Sequence, residues 1–283
     1  MFCEQGDLEE VGLNLADLNL KYWHQAPMLE QYLKELRVTQ LAMGSNFCDI
    51  YFAKTLRMLE EGWERILDSL SCKLTLVVPQ LGEGMLSRIE RQLMSCLFFV
   101  SEIVVNDIAM LAKVSAWKSE GLYRGKITAG RLLIKNFRDA RYEQYTDSEV
   151  KVFFPVYLEG KVDAVELEYV AQRMNLTEIP SGVEVVMHYP YTYQTCSGAC
   201  SYAAAANPKN LYFQQNQRCK TTCMAGYLKL EEHFPMYLVG RGVYIQAAPI
   251  TWMSKKADRY WYWPVDYVLG LICIMGEDMV AVP

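Results

Sequence analysis

The sequence lacks any apolar stretch long enough to cross a membrane. Its longest candidates, Cys96–Val105 and Val268–Met275, are too short or too interrupted to span a hydrocarbon core of about 30 Å. The first ten residues carry no basic segment followed by an apolar one, so they do not read as a secretory signal. Basic residues are not in excess either, because 28 Lys and Arg against 33 Asp and Glu give a formal net charge of −5. These absences predict a cytoplasmic protein and argue against nucleic acid as a partner.

The signatures of several large enzyme classes are also missing. No G-x-G-x-x-G follows an early strand and no G-x-x-x-x-G-K-[ST] occurs, which argues against the usual nucleotide-binding open sheets. The H-E-x-x-H of zincins and the G-x-S-x-G of α/β-hydrolases are absent as well. Only three histidines are present. A Cys–His protease pair stays open, because nine cysteines and three histidines always allow some pairing.

What the sequence does contain is an alternation of short apolar runs with helical stripes. Lys73–Val78 reads as a strand buried on both faces, and apolar residues recur at helical spacing between Met85 and Leu93. This alternation predicts parallel βαβ units in a single domain over residues 1–283, and about eight strands favour a (β/α)8 TIM-like barrel, regular or distorted. The other predicted elements are strands at Val11–Leu18, Val38–Met43, Glu102–Val105, Ile127–Leu133, Lys151–Val156, Val183–Tyr189, Met236–Val239 and Val268–Met275, and helices near Met28–Leu36, after Asp107 and over Val162–Met174.

Nine cysteines are the unusual feature of the composition. One of them, Cys48, follows the predicted strand Val38–Met43. Four more follow the predicted strand Val183–Tyr189 as C-x3-C, 18 intervening residues and a second C-x3-C: Cys196, Cys200, Cys219 and Cys223. Because the loops after barrel strands share one face, we expect five thiols at that face, four of them in a cysteine-rich insertion.

Clustered cysteines in a reducing compartment are more often metal ligands or redox groups than structural disulfides. Four thiolates suit tetrahedral zinc or an iron–sulfur cluster. The C-x3-C spacing differs from the C-x2-C knuckles of structural zinc, and a cluster collects thiolates from distant loops, so iron–sulfur is favoured. Unligated core or surface cysteines remain the alternative, and we interpret four others as packing residues: Cys3, Cys72, Cys96 and Cys273.

A basic segment, GRLLIKNFRDAR at 130–141, follows another predicted strand. Its Arg131, Arg138 and Arg141 suit a carboxylate or phosphate of a substrate, although a solvated basic turn explains the segment equally well. Asn106 and Asp107 end a further predicted strand, where they contact substrate or cap the next helix, and capping is the favoured interpretation.

Two further features are candidates for a site. His188 lies in the predicted strand Val183–Tyr189, where a structural role is favoured over a substrate contact. The aromatic segment Tyr260–Pro264 and the tyrosines near the cysteines suit a pocket for a ring-bearing substrate, although aromatic residues more often belong to a core or an interface.

Taken together, three stretches resemble the collagenase-like peptidases of unknown catalytic type, family number thirty-two. They are EIVVND at 102–107, GRLLIKNFRDAR at 130–141 and VEVVMHYPYTYQTCSGAC at 183–200, followed by the later pair Cys219 and Cys223. The similarity extends more weakly from the loop of Cys48 to about Pro264. Within the family the pattern is most similar to a short, barrel-only branch, the UbiV-like proteins of oxygen-independent ubiquinone biosynthesis.

The resemblance implies a 4Fe–4S cluster held by Cys48, Cys200, Cys219 and Cys223, with Cys196 as a non-ligand or a substitute. The family often has Ser-Gly-Arg-Cys before the cluster and Asp-Pro-Arg in the basic segment. Here these are Ser197-Gly198-Ala199-Cys200 and Asp139-Ala140-Arg141, departures that bear on the substrate more than on the cluster.

The implied function is that of a subunit of an oxygen-independent hydroxylase acting on an aromatic quinone precursor, with prephenate as an oxygen donor. A longer UbiU-like paralogue is the implied partner in a heterodimer. Substrate contacts are expected from Arg131, Arg138, Arg141, His188 and Asn106. A collagenase-like peptidase, an RNA-base hydroxylase of the same family and a non-catalytic scaffold for a paralogue are the alternatives.

Overall fold

The structure is a computed structural model. It describes residues 11–17, 38–63, 72–134, 136, 148–170, 172–198, 200–202, 219, 223, 228–231, 235–246 and 257–263. The predicted helix near Met28–Leu36 and the predicted strand Val268–Met275 lie outside these residues. No helix in the described part of the chain is long and apolar enough to cross a membrane.

Eight parallel strands close into a barrel, which confirms the predicted barrel architecture. In chain order they are β1 (Val11–Asn14), β2 (Gln40–Gly44), β3 (Lys73–Val78), β4 (Val100–Val105), β5 (Lys126–Ala129), β7 (Ala164–Glu168), β9 (Glu184–Tyr189) and β14 (Arg259–Tyr262). Each strand pairs with the previous one in this order, and β14 closes the barrel by pairing with β1. The remaining strands, β6 (Glu149–Lys151), β8 (Arg173–Asn175), β10 (Tyr191–Cys196), β11 (Leu228–Glu231), β12 (Pro235–Val239) and β13 (Gly242–Gln246), lie outside the barrel.

Alternate residues of the barrel strands point inward and form layers. A middle layer contains small apolar side chains around Trp261, among them Ala42, Val104 and Val186. Gly12 lies beside that indole, because a Cβ at its position would come within 2.0 Å of the Trp261 ring. The opposite faces of the strands, with residues such as Leu41, are fully buried too. Burial of both faces explains why these strands read as continuous apolar runs.

Helices follow three of the strands in the first half of the chain. They are α1 (Asp49–Met58), which continues as a π-helical turn over Leu59–Trp63, α2 (Glu83–Cys96) and α3 (Ile108–Ser119). Asp107 caps α3 by accepting a hydrogen bond from the backbone N–H of Met110 at 2.7 Å, as predicted. Strand and helix therefore alternate here as the sequence pattern predicts.

The second half of the chain differs from the predicted elements. The helix predicted over Val162–Met174 is wrong, because this segment contains β7 and most of β8. The misreading has a physical cause: acidic residues are usually exposed on helix surfaces, whereas Glu166 and Glu168 are buried in a strand. The strand predicted at Lys151–Val156 is also displaced, since β6 ends at Lys151 and pairs with β8 outside the barrel.

An antiparallel four-stranded sheet, β10–β13–β12–β11, is inserted between β9 and β14. The strand predicted at Met236–Val239 exists as part of β12, but it belongs to this insertion rather than to the barrel. The last barrel strand is instead Arg259–Tyr262, in a segment whose aromatic residues suit a pocket or, more often, a core. The insertion begins two residues after β9, so it stands at the carboxyl end of the barrel.

Candidate functional site

Several polar side chains are buried at the carboxyl end of the barrel. Asn14 ends β1, Glu166 and Glu168 come from β7, and His188 comes from β9. Each of the four is at most 2% exposed. Because burial of polar groups is costly unless they are paired or used, this end of the barrel is the candidate site.

Asp17 organises the loop between β2 and α1. Its carboxylate accepts hydrogen bonds from the backbone N–H of Asn46 at 2.9 Å, from the Asn46 side-chain amide at 3.1 Å and from the hydroxyl of Ser45. The Ser45 oxygen in turn accepts a hydrogen bond from the backbone N–H of Cys48 at 2.8 Å. Burial raises the pKa of Asp17, although these hydrogen bonds and the charge of Arg131 oppose the rise. The loop thereby holds Cys48 at the start of α1.

Cys48 is buried beside a positively charged side chain of the insertion. Arg241, in the turn between β12 and β13, donates a hydrogen bond to the carbonyl of Phe47 at 3.3 Å and lies 3.6 Å from the carboxylate of Asp49. Burial raises the pKa of the Cys48 thiol to about 11, and the charge of Arg241 is the largest influence that opposes the rise. Arg241 therefore connects the insertion to the loop that carries Cys48.

Cys48 lies within electrostatic range of Cys223 in the insertion. Cys200, Cys219 and Cys223 are half-buried and not joined in disulfides. Burial, and then the charges of Cys200, Cys48 and Cys219, raise the pKa of the Cys223 thiol to about 12. Cys196 differs from them because it is exposed at the end of β10. Within the part of the chain that the structure describes, no three His, Cys, Asp or Glu side chains are grouped so as to hold a metal ion as they stand.

Arg131 is buried just after β5, with its charge already balanced. Its Nε lies 3.2 Å from a carboxylate oxygen of Glu168, and its guanidinium lies 6.0 Å and 5.8 Å from the ring centres of Tyr193 and Tyr244. The predicted contact with an anionic substrate stays a prediction. Arg138 and Arg141 lie outside the described residues.

His188 is held between two other buried side chains. Its Nε2 lies 3.2 Å from the carboxylate of Glu166, and its Nδ1 lies 3.4 Å from the side-chain nitrogen of Asn14. The histidine predicted as a site candidate is thus part of a buried row that crosses the barrel from β7 to β9 to β1. Both the structural and the substrate-binding interpretations of His188 remain compatible with this place.

Asn106 ties neighbouring loops together at the same end of the barrel. Its amide nitrogen donates a hydrogen bond to the carbonyl of Val78 at 3.1 Å, and its amide oxygen accepts one from the backbone N–H of Leu132 at 3.3 Å. It is 3% exposed. These bonds give Asn106 a structural task, and its predicted contact with substrate remains a prediction.

The aromatic residues that the sequence analysis singled out are largely core. Trp261 fills the barrel interior, and Tyr191 packs edge-on against Trp263 with ring centres 6.0 Å apart. Tyr193 and Tyr244, with ring centres 6.1 Å apart, flank Arg131 instead. Aromatic side chains therefore line the buried polar cluster from the side of the insertion.

Sequence reasoning missed four polar residues of this end of the barrel: Asn14, Asp17, Glu166 and Glu168. A signal was present for the two glutamates, because Ala164–Glu168 alternates apolar and acidic residues with the period of a strand. Read as a strand, that pattern places both carboxylates on one face of the sheet. No such signal marks Arg241, which a turn of the insertion brings to Cys48.

Comparison of the chain with family models, with curated proteins and with solved structures finds no match.

Proposed function

We propose that this protein holds a 4Fe–4S cluster on Cys48, Cys200, Cys219 and Cys223 and acts as a subunit of an oxygen-independent hydroxylase for an aromatic, quinone-like precursor. The observation that supports the proposal is that Cys48, Cys200 and Cys219, from two distant parts of the chain, all influence the pKa of the Cys223 thiol, and that none of the four is joined in a disulfide. The family resemblance of the sequence supplies the reaction class, the longer UbiU-like paralogue as partner and prephenate as oxygen donor.

The chemistry of these side chains fits a cluster. Thiolates are the ligands that iron–sulfur clusters use, and these cysteines are not joined in disulfides. Without a bound cation the raised pKa values of Cys48 and Cys223 keep both thiols protonated at neutral pH, so binding would release protons. The buried guanidinium of Arg241 offers a positive charge beside this group of sulfurs.

When bound, such a cluster supplies one-electron chemistry at the carboxyl end of the barrel. The chain's own residues then have separate tasks. Asp17 and Ser45 position Cys48, Arg241 compensates negative charge, and Tyr193 and Tyr244 present ring faces toward Arg131. A planar aromatic substrate suits a place between such rings and the buried polar row.

Metal and sulfide analysis of protein purified without oxygen tests the cluster. We expect about four iron and four sulfide per chain, with the broad visible absorption of a 4Fe–4S cluster. Cys48→Ser and Cys223→Ser are expected to lose both. The matched control is Cys72→Ser, because Cys72 directly precedes β3 at the amino end of the barrel.

Bound zinc in place of iron, or cluster absorption that survives Cys48→Ser, would overturn the proposal for the cluster. Loss of iron in Cys196→Ser with retention in Cys200→Ser would reassign one ligand. The hydroxylase is tested separately, by growing a strain that lacks this chain without oxygen and measuring quinone precursors. Unchanged hydroxylated quinone in that strain would overturn the reaction, whatever the iron content.

A further inference from the structure

A row of three buried side chains crosses the carboxyl end of the barrel. Asn14, His188 and Glu166 come from β1, β9 and β7, and the contacts between them measure 3.4 Å and 3.2 Å. All three belong to the inner face of the barrel. A row of this kind joins a carboxylate to a histidine whose other nitrogen is also held, as in the positioning of catalytic acid–base groups.

A hydrogen bond to the backbone determines which atoms of the row donate hydrogen bonds and which accept them. The amide oxygen of Asn14 accepts a hydrogen bond from the backbone N–H of Ala16 at 2.9 Å, so its amide nitrogen faces His188. An amide nitrogen donates hydrogen bonds only, and Nδ1 of His188 must therefore be the acceptor. The proton of a neutral imidazole then sits on Nε2, which faces the carboxylate of Glu166.

Glu166 keeps acceptor capacity beyond this contact. Neither oxygen of its carboxylate has a hydrogen-bond partner among the residues that the structure describes, although Oε2 lies 3.2 Å from Nε2 of His188. Burial acts to raise its pKa, but the charge and contact of His188, and then the charges of Arg131 and Arg259, hold the pKa below its ordinary value. The side chain is thus an ionised acceptor that is 1% exposed. A buried, ionised carboxylate is costly unless a hydrogen-bond donor pairs with it.

The neighbouring charges point to the kind of ligand that supplies it. Arg131, the buried cation nearest to this row, lies against Glu168, and one oxygen of Glu168 also accepts no hydrogen bond from the described residues. Two buried carboxylates, those of Glu166 and Glu168, therefore lie at this end of the barrel. A ligand that brings a hydroxyl or amine fits this balance better than one that brings a second carboxylate, which would meet two buried acids.

We propose that Glu166, oriented by His188 and Asn14, is the hydrogen-bond acceptor for a hydroxyl or amine of the ligand that binds at the carboxyl end of the barrel. This assigns ligand binding to Glu166 and a positioning task to His188. The inference rests on the proposed function in placing the substrate at this end of the barrel and in giving that substrate an aromatic ring.

Nitrogen NMR of wild-type protein labelled on histidine tests the orientation of the row. With three histidines in the chain, the spectrum is simple, and the His188→Gln variant identifies the signal of His188. We expect a protonated Nε2 and an unprotonated Nδ1 in the neutral ring. A ring protonated on Nδ1 instead would overturn the assigned positioning, because Asn14 would then face another donor.

Binding of simple aromatic probes tests the role of Glu166. Phenol carries a hydroxyl donor, anisole is its methyl ether without a donor, and benzoate carries a carboxylate. Titration calorimetry at millimolar concentrations is expected to show wild-type protein binding phenol about 3- to 10-fold more tightly than anisole, the factor for one hydrogen bond. Glu166→Leu should abolish that preference, and Glu166→Gln should reduce it. The exposed Glu120→Gln is the matched control.

Equal binding of phenol and anisole to wild-type protein would overturn the inference, as would an undiminished preference in Glu166→Leu. If benzoate binds most tightly of the three probes, the ligand contacts Arg131 rather than Glu166. Thermal unfolding of each variant shows whether it is folded, and Glu166→Gln keeps the size of the side chain if Glu166→Leu does not fold. If the purified protein contains no iron but still binds phenol more tightly than anisole, the inference about Glu166 stands and only the proposal of a cluster is overturned.

Discussion

The guanidinium of Arg259 lies in the barrel interior with its two terminal nitrogens 2.6 Å and 2.7 Å from the two carboxylate oxygens of Glu102. This bidentate pair is at the amino end of the barrel, opposite the candidate site. Gln40, Thr75 and Thr128 complete its hydrogen bonds. The pair therefore fills one end of the barrel with a polar network, while the other end keeps acceptors without described partners.

Removal of one partner of this pair should destabilise the barrel strongly. Glu102→Gln leaves the charge of Arg259 buried and uncompensated, which costs roughly 3–5 kcal/mol of unfolding free energy. Replacement of both together, as Glu102→Leu with Arg259→Leu, should cost less than the sum of the single changes. Urea unfolding of the four proteins measures this coupling. If the double variant loses as much unfolding free energy as the two single variants together, the two charges do not stabilise each other.

A methyl group at position 12 should strain the barrel interior. In Gly12→Ala the new Cβ would lie within 2.0 Å of the Trp261 ring, and overpacking of this kind costs about 1–3 kcal/mol. Trp261→Phe in the same protein should recover part of that loss by making room. Thermal unfolding compares the variants, with Gly84→Ala as control, because a Cβ at that position meets nothing within 4 Å. Similar midpoints for Gly12→Ala and Gly84→Ala would contradict the close packing.

Arg241 should make Cys48 more reactive in protein without a cluster. Its charge opposes the rise of the Cys48 pKa, so Arg241→Gln is expected to raise that pKa further and to slow alkylation several-fold at pH 9. Arg241→Lys keeps the charge and should alkylate more nearly as wild type does. Mass spectrometry of the peptide that contains Cys48 follows the reaction. Cys72, which is distant from Arg241, serves as the internal reference, and equal slowing of both cysteines would point to a change in fold.

Glu166 and Asp17 should change the pH dependence of the unfolding free energy in opposite directions at acidic pH. The pKa of Glu166 is lowered below 4.5, so its stabilising contribution is present above that pH and is lost as pH falls through the folded pKa. The pKa of Asp17 is raised above 3.8, so its contribution is complete below that pH and is lost as pH rises through the folded pKa. Glu166→Gln should therefore make the acid-side loss of unfolding free energy shallower, and Asp17→Asn should make it steeper.

Urea unfolding at several pH values between about 3 and 7 measures both slopes. Thr177, which is exposed, provides a control substitution, Thr177→Ala, that should leave the slope unchanged. If Asp17→Asn and Glu166→Gln both make the slope of unfolding free energy against pH steeper, or both make it shallower, one of the two carboxylates is not in the environment described.

Local sequence pattern was sufficient where a strand is buried on both faces or a helix has a clear apolar stripe. Lys73–Val78 and α2 were predicted closely for this reason, and Asp107 was correctly interpreted as a cap. The pattern failed where charged residues are buried. In β7 the two buried glutamates look from sequence like solvent-exposed residues, since a residue's type does not show whether a partner will compensate its charge.

The candidate site was only partly predictable for the same reason. The cysteines stand out by number and spacing, and Cys48, Cys200 and Cys219 influence the pKa of Cys223 in the structure. Arg241 and Asp17 carry no comparable signal, because their importance arises from neighbours distant in the chain. The assignment of metal ligands stays a prediction that iron and sulfide analysis tests.

By itself, the sequence determined that the chain forms a barrel of parallel strands, because apolar periodicity is a local property and the connections between successive strands allow few arrangements. It also determined that thiols follow two of those strands. Only the tertiary structure decided that β14 closes the barrel by pairing with β1, and that Asn14, His188 and Glu166 form one buried row. Those outcomes depend on contacts between distant residues, such as Val11 with Tyr260 and Asn14 with His188, which no local pattern encodes.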